Sequence, residues 1–170
     1  MVLLNEKDIL RNTMEFKEKT LDSQMMYDGR IIKVYKDNVE LADGKKSFRE
    51  VVRHSGGVVI LAFKDEDTIL LVKQYRYPIG ETVLELPAGK LEKGEDPFEA
   101  AKRELEEETG YCANKWTDLG YINTSPGFSD EKLYLYLAQD LEYTHCHPDE
   151  GEIIQAFESV SYTHLRAHET

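Results

Sequence analysis

Apolar and polar residues alternate with a period of two over much of the chain, which predicts a protein built mainly of β-strands. Strands are expected throughout residues 16–53, with a hairpin turn at 42–45. Further strands are expected at 58–63, 69–77, 82–87, 115–125, 131–139 and 153–157. The runs at 58–63 and 69–77 are both strongly apolar and are joined by a short polar turn, so we expect them to pair with each other.

One segment departs from this alternation and predicts a helix over 97–109. Asp96 and Pro97 supply an N-cap and a proline at the first helical position, Glu99 completes a capping box, and Gly110 ends the helix. Its apolar residues are expected to face the core: Phe98, Ala101 and Leu105. Strands around a central helix predict a compact α/β or α+β sandwich.

The predicted helix gathers carboxylates at its C-terminal end, at positions 104, 106, 107 and 108. Acids there face the negative end of the helix dipole, and like charges four residues apart repel each other. Glu104, Glu107 and Glu108 share one face, so a divalent cation is the obvious partner. A solvated acidic surface is the ordinary alternative, but it explains neither the unfavourable end nor the preceding Gly89.

Length and charge narrow the class of protein. A chain of 170 residues predicts one domain with its own core. The formal net charge of −12 argues against nucleic acid as a partner, and no apolar run is long enough to span a membrane. The two cysteines form no CxxC pair, which favours a reducing, cytoplasmic location.

The acidic helix and the loop before it carry a spaced motif. Gly89 is followed after five residues by Glu95, and after seven more by Arg103-Glu104-Leu105, then Glu107-Glu108 and Gly110. This spacing resembles the Nudix box, and only Tyr111 departs from it, where the family has an aliphatic residue. The resemblance implies a Nudix α/β/α sandwich with a mixed sheet, and a hydrolase that acts on a nucleoside diphosphate linked to another group.

The resemblance also implies a cofactor, Mg²⁺ or Mn²⁺, whose preference for hard oxygen ligands suits carboxylates. The metal ligands that it implies within the motif are Glu104, Glu108, Glu107 and the carbonyl of Ala88. Glu104 and Glu107 would thereby take part in catalysis. Arg103 can pair with neighbouring carboxylates when the metal is absent, and Glu95 fits a loop position that supports the cluster.

Pro126, sixteen residues after Gly110, resembles the ADP-ribose pyrophosphatase subfamily. The likeness covers about residues 16–159 and implies hydrolysis of ADP-ribose to AMP and ribose 5-phosphate. Two alternatives stay open. One is a Nudix hydrolase for another nucleoside diphosphate sugar or a dinucleotide, such as GDP-mannose or NADH. The other is a non-catalytic Nudix domain that binds ADP-ribose, although such proteins usually lose acids from the box.

The same resemblance implies site residues outside the box. Arg49, Glu50 and Arg76 fall at substrate-binding positions, although ordinary polar residues of strands are the alternative. Glu150 matches a general base on a late acidic loop and Glu152 an additional metal ligand. An exposed acidic turn is the competing interpretation of that loop.

The expected organisation has three parts. Residues 1–54 form an N-terminal strand region that the resemblance assigns to a homodimer interface. Residues 55–159 form the Nudix catalytic domain. Residues 160–170 look unlike evolved protein, so we interpret them as a non-native tail and assign them no function.

Overall fold

The computed structural model describes residues 16–145 and 153–160, which divide into two compact units. The first unit contains residues 16–54 and 127–129, and the second contains the remaining described residues. The assignment of residues 1–54 to dimerisation stays a prediction. Residues 161–170 lie outside the described part of the chain, whereas Val160 pairs with Thr68 at the end of a strand.

The first unit is an antiparallel sheet in the order β1-β2-β3. Its strands are β1 (Lys19–Asp28), β2 (Ile32–Glu40) and β3 (Lys46–His54). The predicted turn at 42–45 is confirmed, since the N–H of Leu41 donates to the carbonyl of Lys45 at 2.8 Å. Gly44 has φ of 82° in that turn, a backbone conformation that favours glycine. The expected N-terminal antiparallel strand region is therefore present.

The second unit contains two sheets, one α-helix and a 3-10 turn at Tyr77–Ile79. Its strands are β4 (Gly57–Ala62), β5 (Thr68–Arg76), β6 (Glu81–Glu85), β7 (Ala88–Lys90), β8 (Tyr111–Asn123), β9 (Lys132–Tyr143) and β10 (Ile154–Val160). One sheet has the order β7-β4-β9-β8, with β4 parallel to β9 and the other pairs antiparallel. The other is antiparallel in the order β10-β5-β6. The predicted mixed α/β class is confirmed.

The predicted pairing of 58–63 with 69–77 is wrong. Strands β4 and β5 belong to different sheets, and a single bridge between Phe63 and Ile69 joins the two segments beside their turn. Each strand is already flanked on both sides, β4 by β7 and β9, and β5 by β10 and β6. Both are apolar runs because both are central strands, and a short turn between such runs does not make them neighbours.

The predicted strand at 82–87 becomes two strands. Strand β6 ends at Glu85, and Pro87 separates it from β7, the strand that carries Ala88 and Gly89. Pro87 lacks an N–H, so it cannot donate to a ladder, but its carbonyl accepts a hydrogen bond from the N–H of Ile60 at 2.8 Å. This short interruption passes the chain from one sheet to the other immediately before the acidic motif.

Helix α1 (Pro97–Thr109) has the predicted boundaries. The carboxylate of Asp96 accepts from the N–H groups of Phe98 at 2.9 Å and Glu99 at 3.3 Å. Gly110 has φ of 75°, and its N–H donates to the carbonyl of Glu106 at 2.8 Å, which closes the last turn. The capping box is only half formed, because the Glu99 carboxylate accepts from Lys102 Nζ at 2.8 Å.

The apolar face of α1 packs on the second unit's sheets. Ala101 and Leu105 are fully buried, and Phe98 meets Trp116 edge-on with ring centroids 5.5 Å apart. The core that they join includes Val58, Ile60, Ala62, Leu70 and Tyr136. Among the described residues, no helix combines the length and the apolar character that crossing a bilayer requires.

Leu105→Ala should lower the free energy of unfolding by about 2–5 kcal/mol, because it removes three buried carbons and leaves a cavity beneath the acidic face. Urea titration followed by circular dichroism measures this loss. A loss below about 1 kcal/mol, within the range of an exposed site, would contradict the packing of α1 described above.

Candidate active site

Arg103 lies at the centre of the acidic cluster on α1. Its Nε and Nη2 donate to the two carboxylate oxygens of Glu95 at 2.9 and 3.1 Å. Its Nη1 donates to Glu104 at 2.9 Å and to Glu107 at 2.8 Å. Hydrogen bonding from Arg103 is the main cause that lowers the pKa of Glu95. The same interaction is the main cause that raises the pKa of Arg103. One guanidinium therefore relieves the repulsion that the sequence predicted.

The loop before α1 is shaped to present Glu95 to this guanidinium. The second oxygen of the Glu95 carboxylate also accepts from the N–H of Glu92 at 2.9 Å, and the N–H of Glu95 donates to the Glu92 carbonyl at 3.1 Å. These two bonds close a turn across residues 92–95. Glu95 thus connects the loop to the helix, which is the supporting position that the sequence indicated.

The other half of the cluster lies against β7. Glu108 is buried, and its carboxylate accepts from the N–H of Ala88 at 2.9 Å. A β-carbon on Gly89 would lie 1.8 Å from Cδ of Glu104 and about as close to both carboxylate oxygens, at 1.9 and 2.2 Å. Only a residue without a side chain therefore lets the Glu104 carboxylate rest on β7. This contact accounts for the glycine at position 89 of the spaced motif.

The residues present fit a hard divalent cation in their chemistry. Their donor atoms are carboxylate oxygens, which such a cation prefers. Gly89 has no β-carbon that would displace the Glu104 carboxylate from β7. Within residues 16–145 and 153–160, no three His, Cys, Asp or Glu side chains already converge as a metal cage. Instead, Arg103 donates to the carboxylates of Glu104 and Glu107, and the N–H of Ala88 donates to the carboxylate of Glu108. The ligand set therefore stays a prediction.

Arg103→Ala should destabilise the metal-free protein by about 1–3 kcal/mol. The substitution removes charge-assisted hydrogen bonds, and it also removes the positive charge that offsets repulsion among the neighbouring carboxylates. Added Mg²⁺ should recover part of this loss, since a cation can then pair with the same acids. Urea unfolding in EDTA and in Mg²⁺ measures both effects. Glu99→Gln is the control, because Glu99 is exposed and pairs only with Lys102 in the described structure. Equal losses in the two variants would contradict a central role for Arg103.

The predicted site residues outside the box fall in different places. Arg76 ends β5 and binds Glu85. Arg49 and Glu50 lie on β3 in the first unit, where Arg49 binds Glu18 and donates to the carbonyl of Phe48 at 2.8 Å. Glu50 is exposed and faces Lys36 in the ladder.

Pro126 is exposed in the turn that follows β8. Glu150 and Glu152 lie outside the described residues, so their roles as base and additional ligand stay predictions. The structure thus brings together the acids of the box with Arg103, Glu95 and the Ala88 N–H, all within the second unit.

Sequence reasoning did not find Glu85, the partner of Arg76. A usable signal was present, because 69–77 and 82–87 were both predicted as strands with a short connection between them. An antiparallel pairing of the two would have placed Glu81 and Glu85 on one face of β6, within reach of Arg76.

Two family models match this chain. The model for the NUDIX domain matches residues 53–170, and the model for the nucleoside diphosphate sugar hydrolase N-terminal domain matches residues 18–52. An ADP-ribose pyrophosphatase of Bacillus subtilis strain 168 is 46% identical over 144 residues, which are 84% of this chain and 78% of that protein. A methanol dehydrogenase activator of Bacillus methanolicus is 49% identical over 126 residues, covering 74% of this chain and 68% of that protein.

A crystal structure of an ADP compounds hydrolase has the same fold. It matches with a TM-score of 0.78 and 24% identity over 91% of this chain and 84% of its own. The NUDIX match takes in β4 to β10, α1 and the loop before α1, which together include every residue of the acidic cluster. The chain therefore belongs to the Nudix hydrolase family.

Proposed function

We propose that this protein hydrolyses the pyrophosphate of ADP-ribose to AMP and ribose 5-phosphate, with Mg²⁺ as its cofactor. The observation that carries the proposal is the carboxylate face of α1 resting on Gly89 and Ala88 of β7. The relatives of similar sequence support the substrate, since that of Bacillus subtilis is named an ADP-ribose pyrophosphatase. The sequence signal at Pro126 points to the same substrate.

The reaction adds one water across the pyrophosphate. A P–O bond forms to the water oxygen, the bridging P–O bond breaks, and the proton leaves through a base. Mg²⁺, when bound, neutralises phosphate charge, activates water and holds the reacting groups in line. The residues that would hold it are Glu104, Glu107, Glu108 and the carbonyl of Ala88, with Glu152 as an additional ligand.

The protein's own groups have separate tasks in this proposal. Arg103 holds the carboxylates of Glu104 and Glu107 on one side of the helix. Little side-chain conformational entropy would therefore be lost when these carboxylates bind a cation. Glu150 would accept the water proton. Arg76 would bind a phosphate oxygen, and Arg49 with Glu50 would contact the remaining substrate.

Substrate choice separates this proposal from its rivals. Purified protein with Mg²⁺ is assayed on ADP-ribose, GDP-mannose and NADH, with products identified by chromatography. We expect the highest kcat/KM for ADP-ribose. Faster turnover of GDP-mannose or NADH would make the protein a Nudix hydrolase of another substrate. NADH is the important comparison, because one relative of similar sequence is named for its effect on a dehydrogenase. Binding of ADP-ribose without products would instead indicate a sensor.

A homodimer is part of the proposal. Strand β1 is an edge strand whose ten residues are all exposed in the single chain, and Met25, Met26 and Tyr27 on it are apolar. Apolar side chains on an exposed edge usually meet a partner. Light scattering should give twice the chain mass of 19.6 kDa. A single-chain mass at micromolar concentration would contradict the dimer.

We also propose a cytoplasmic location. Cys112 is a free thiol within the described chain, and burial is the main cause that raises its pKa. A thiol without a disulfide partner suits a reducing compartment.

A further inference from the structure

Arg76 and Glu85 form an ion pair across the β5–β6 hairpin that the box does not involve. Nε and Nη2 of Arg76 donate to the same oxygen, Oε2 of Glu85, at 2.9 and 2.6 Å. These two residues are not opposite each other in the ladder. Arg76 is opposite Glu81, and Glu85 is opposite Val72. The pair therefore depends on the conformation of the Arg76 side chain, because the two residues are not cross-strand neighbours in the ladder.

That direction follows from the geometry of the sheet. Residues opposite each other share a face, and alternate residues of one strand share it too, so Glu81 and Glu85 both lie on the face of Arg76. Glu81 is the nearer acid in the ladder, yet Arg76 binds Glu85, which is four residues further along β6. The guanidinium therefore lies back along the sheet, toward the end of β6.

The end of β6 leads directly into the acidic motif. Glu85 precedes Ala88 by three residues, and an extended chain spans at most about 3.6 Å per residue, so the two backbones are within about 11 Å. The N–H of Ala88 in turn donates to the buried carboxylate of Glu108. Glu85 thus holds the guanidinium at the end of β6 that leads into β7, the strand against which the carboxylates of α1 lie.

The pair leaves donors for a ligand. Arginine has five N–H groups, and among the described residues Arg76 gives two of them to one oxygen of Glu85. The three that remain suit phosphate oxygens, which a guanidinium can bind through two parallel bonds. Stability is a weak explanation for the pair, because the side chains of Arg76 and Glu85 are 41% and 32% exposed. Pairs of that kind add little to folding.

We propose that Glu85 is a positioning residue, which holds the Arg76 guanidinium toward the pyrophosphate of the bound substrate. This inference rests on the proposed function, in which Arg76 binds phosphate. Without the carboxylate, the long Arg76 side chain is free to turn toward Glu81 or solvent. Substrate binding then includes the entropy of ordering that side chain.

The test is a double-mutant cycle on steady-state kinetics with ADP-ribose and Mg²⁺. Glu85→Gln should raise KM about tenfold and change kcat less than about twofold, because a phosphate contact made equally in ground and transition states affects binding alone. Glu85→Asp, which keeps the charge, should restore part of the loss. In an Arg76→Ala background, Glu85→Gln should have no further effect on KM.

Glu99→Gln is the matched control, because it removes the same charge from an exposed ion pair on α1. It should leave KM unchanged. Additive effects of Glu85→Gln and Arg76→Ala on KM would overturn the proposal, as would an unchanged KM in Glu85→Gln. A fall in kcat alone would also overturn it, since that result assigns Glu85 to the chemical step.

Failure of the proposed function gives a different pattern. If the wild-type protein does not hydrolyse ADP-ribose, the function fails, and the cycle is then measured by calorimetric titration with ADP, which retains a pyrophosphate. If Glu85→Gln weakens ADP binding in the wild-type background but not in the Arg76→Ala background, the positioning role is supported although the proposed function has failed. Equal ADP binding in the wild type and Glu85→Gln overturns that role, whichever substrate is cleaved.

Discussion

Glu104→Gln should reduce kcat for ADP-ribose by about 100-fold or more, because even residues that only support metal ligands cost about 10–100-fold when they are removed. Glu104 is the acid placed between Arg103 and Gly89, with its side chain 12% exposed. The substitution keeps the shape and one oxygen but removes the charge that a divalent cation requires. Steady-state assays at saturating Mg²⁺ measure the effect.

Folding must be preserved for this result to be informative. The amide that replaces the Glu104 carboxylate can still accept the bond from Arg103 through its oxygen, so thermal unfolding should stay close to that of the wild type. Glu99→Gln, on the exposed side of the same helix, should retain full activity. Wild-type kcat in Glu104→Gln would remove Glu104 from the metal site.

Gly89→Ala should have the second largest effect. A methyl group there would lie 1.8–2.2 Å from the Glu104 carboxylate atoms, so that carboxylate must leave its place on β7. We expect kcat to fall by about 10–100-fold, as for loss of a group that orients a ligand. We also expect an overpacking cost of about 1–3 kcal/mol in the free energy of unfolding.

A second background identifies the cause. In Glu104→Ala the colliding carboxylate is gone, so Gly89→Ala should cost much less stability there than in the wild type. Urea unfolding of the four proteins in the cycle measures this coupling. The same cost in both backgrounds would show that Gly89 is required by the backbone rather than by Glu104.

The features that the sequence predicted well are local ones. The boundaries of α1 follow from Asp96, Pro97 and Gly110, whose effects act within one turn of the helix. The acidic face follows from the spacing of residues on a helix, which needs no knowledge of the fold. The acidic face and its pairing with Arg103 are therefore predictable from the sequence alone.

The features that it missed depend on contacts between distant segments. Strands β4 and β5 adjoin in sequence but find their partners elsewhere, and β9, the parallel partner of β4, begins only at Lys132. Parallel pairing leaves no local turn signal. Glu85 was missed for a similar reason, since its bond to Arg76 depends on the β5–β6 register and on a side-chain direction.

The predicted substrate-binding residues come from separate segments of the chain. Arg49 and Glu50 lie in the first unit, Arg76 and Pro126 in the second, and Glu150 with Glu152 outside the described residues. Residues contributed by several segments leave no compact motif in a sequence. Their roles therefore rest on resemblance, whereas the cluster around Arg103 rests on its contacts.

The central claim is that the acidic face of α1 supports metal-dependent cleavage of a pyrophosphate. Phosphorus NMR of ADP-ribose with the purified protein tests it most directly. In Mg²⁺, the two pyrophosphate signals should be replaced by the phosphate signals of AMP and ribose 5-phosphate at equal intensity. Addition of EDTA should stop this cleavage. Unaltered pyrophosphate signals in Mg²⁺, or cleavage that continues undiminished in EDTA, would contradict the claim.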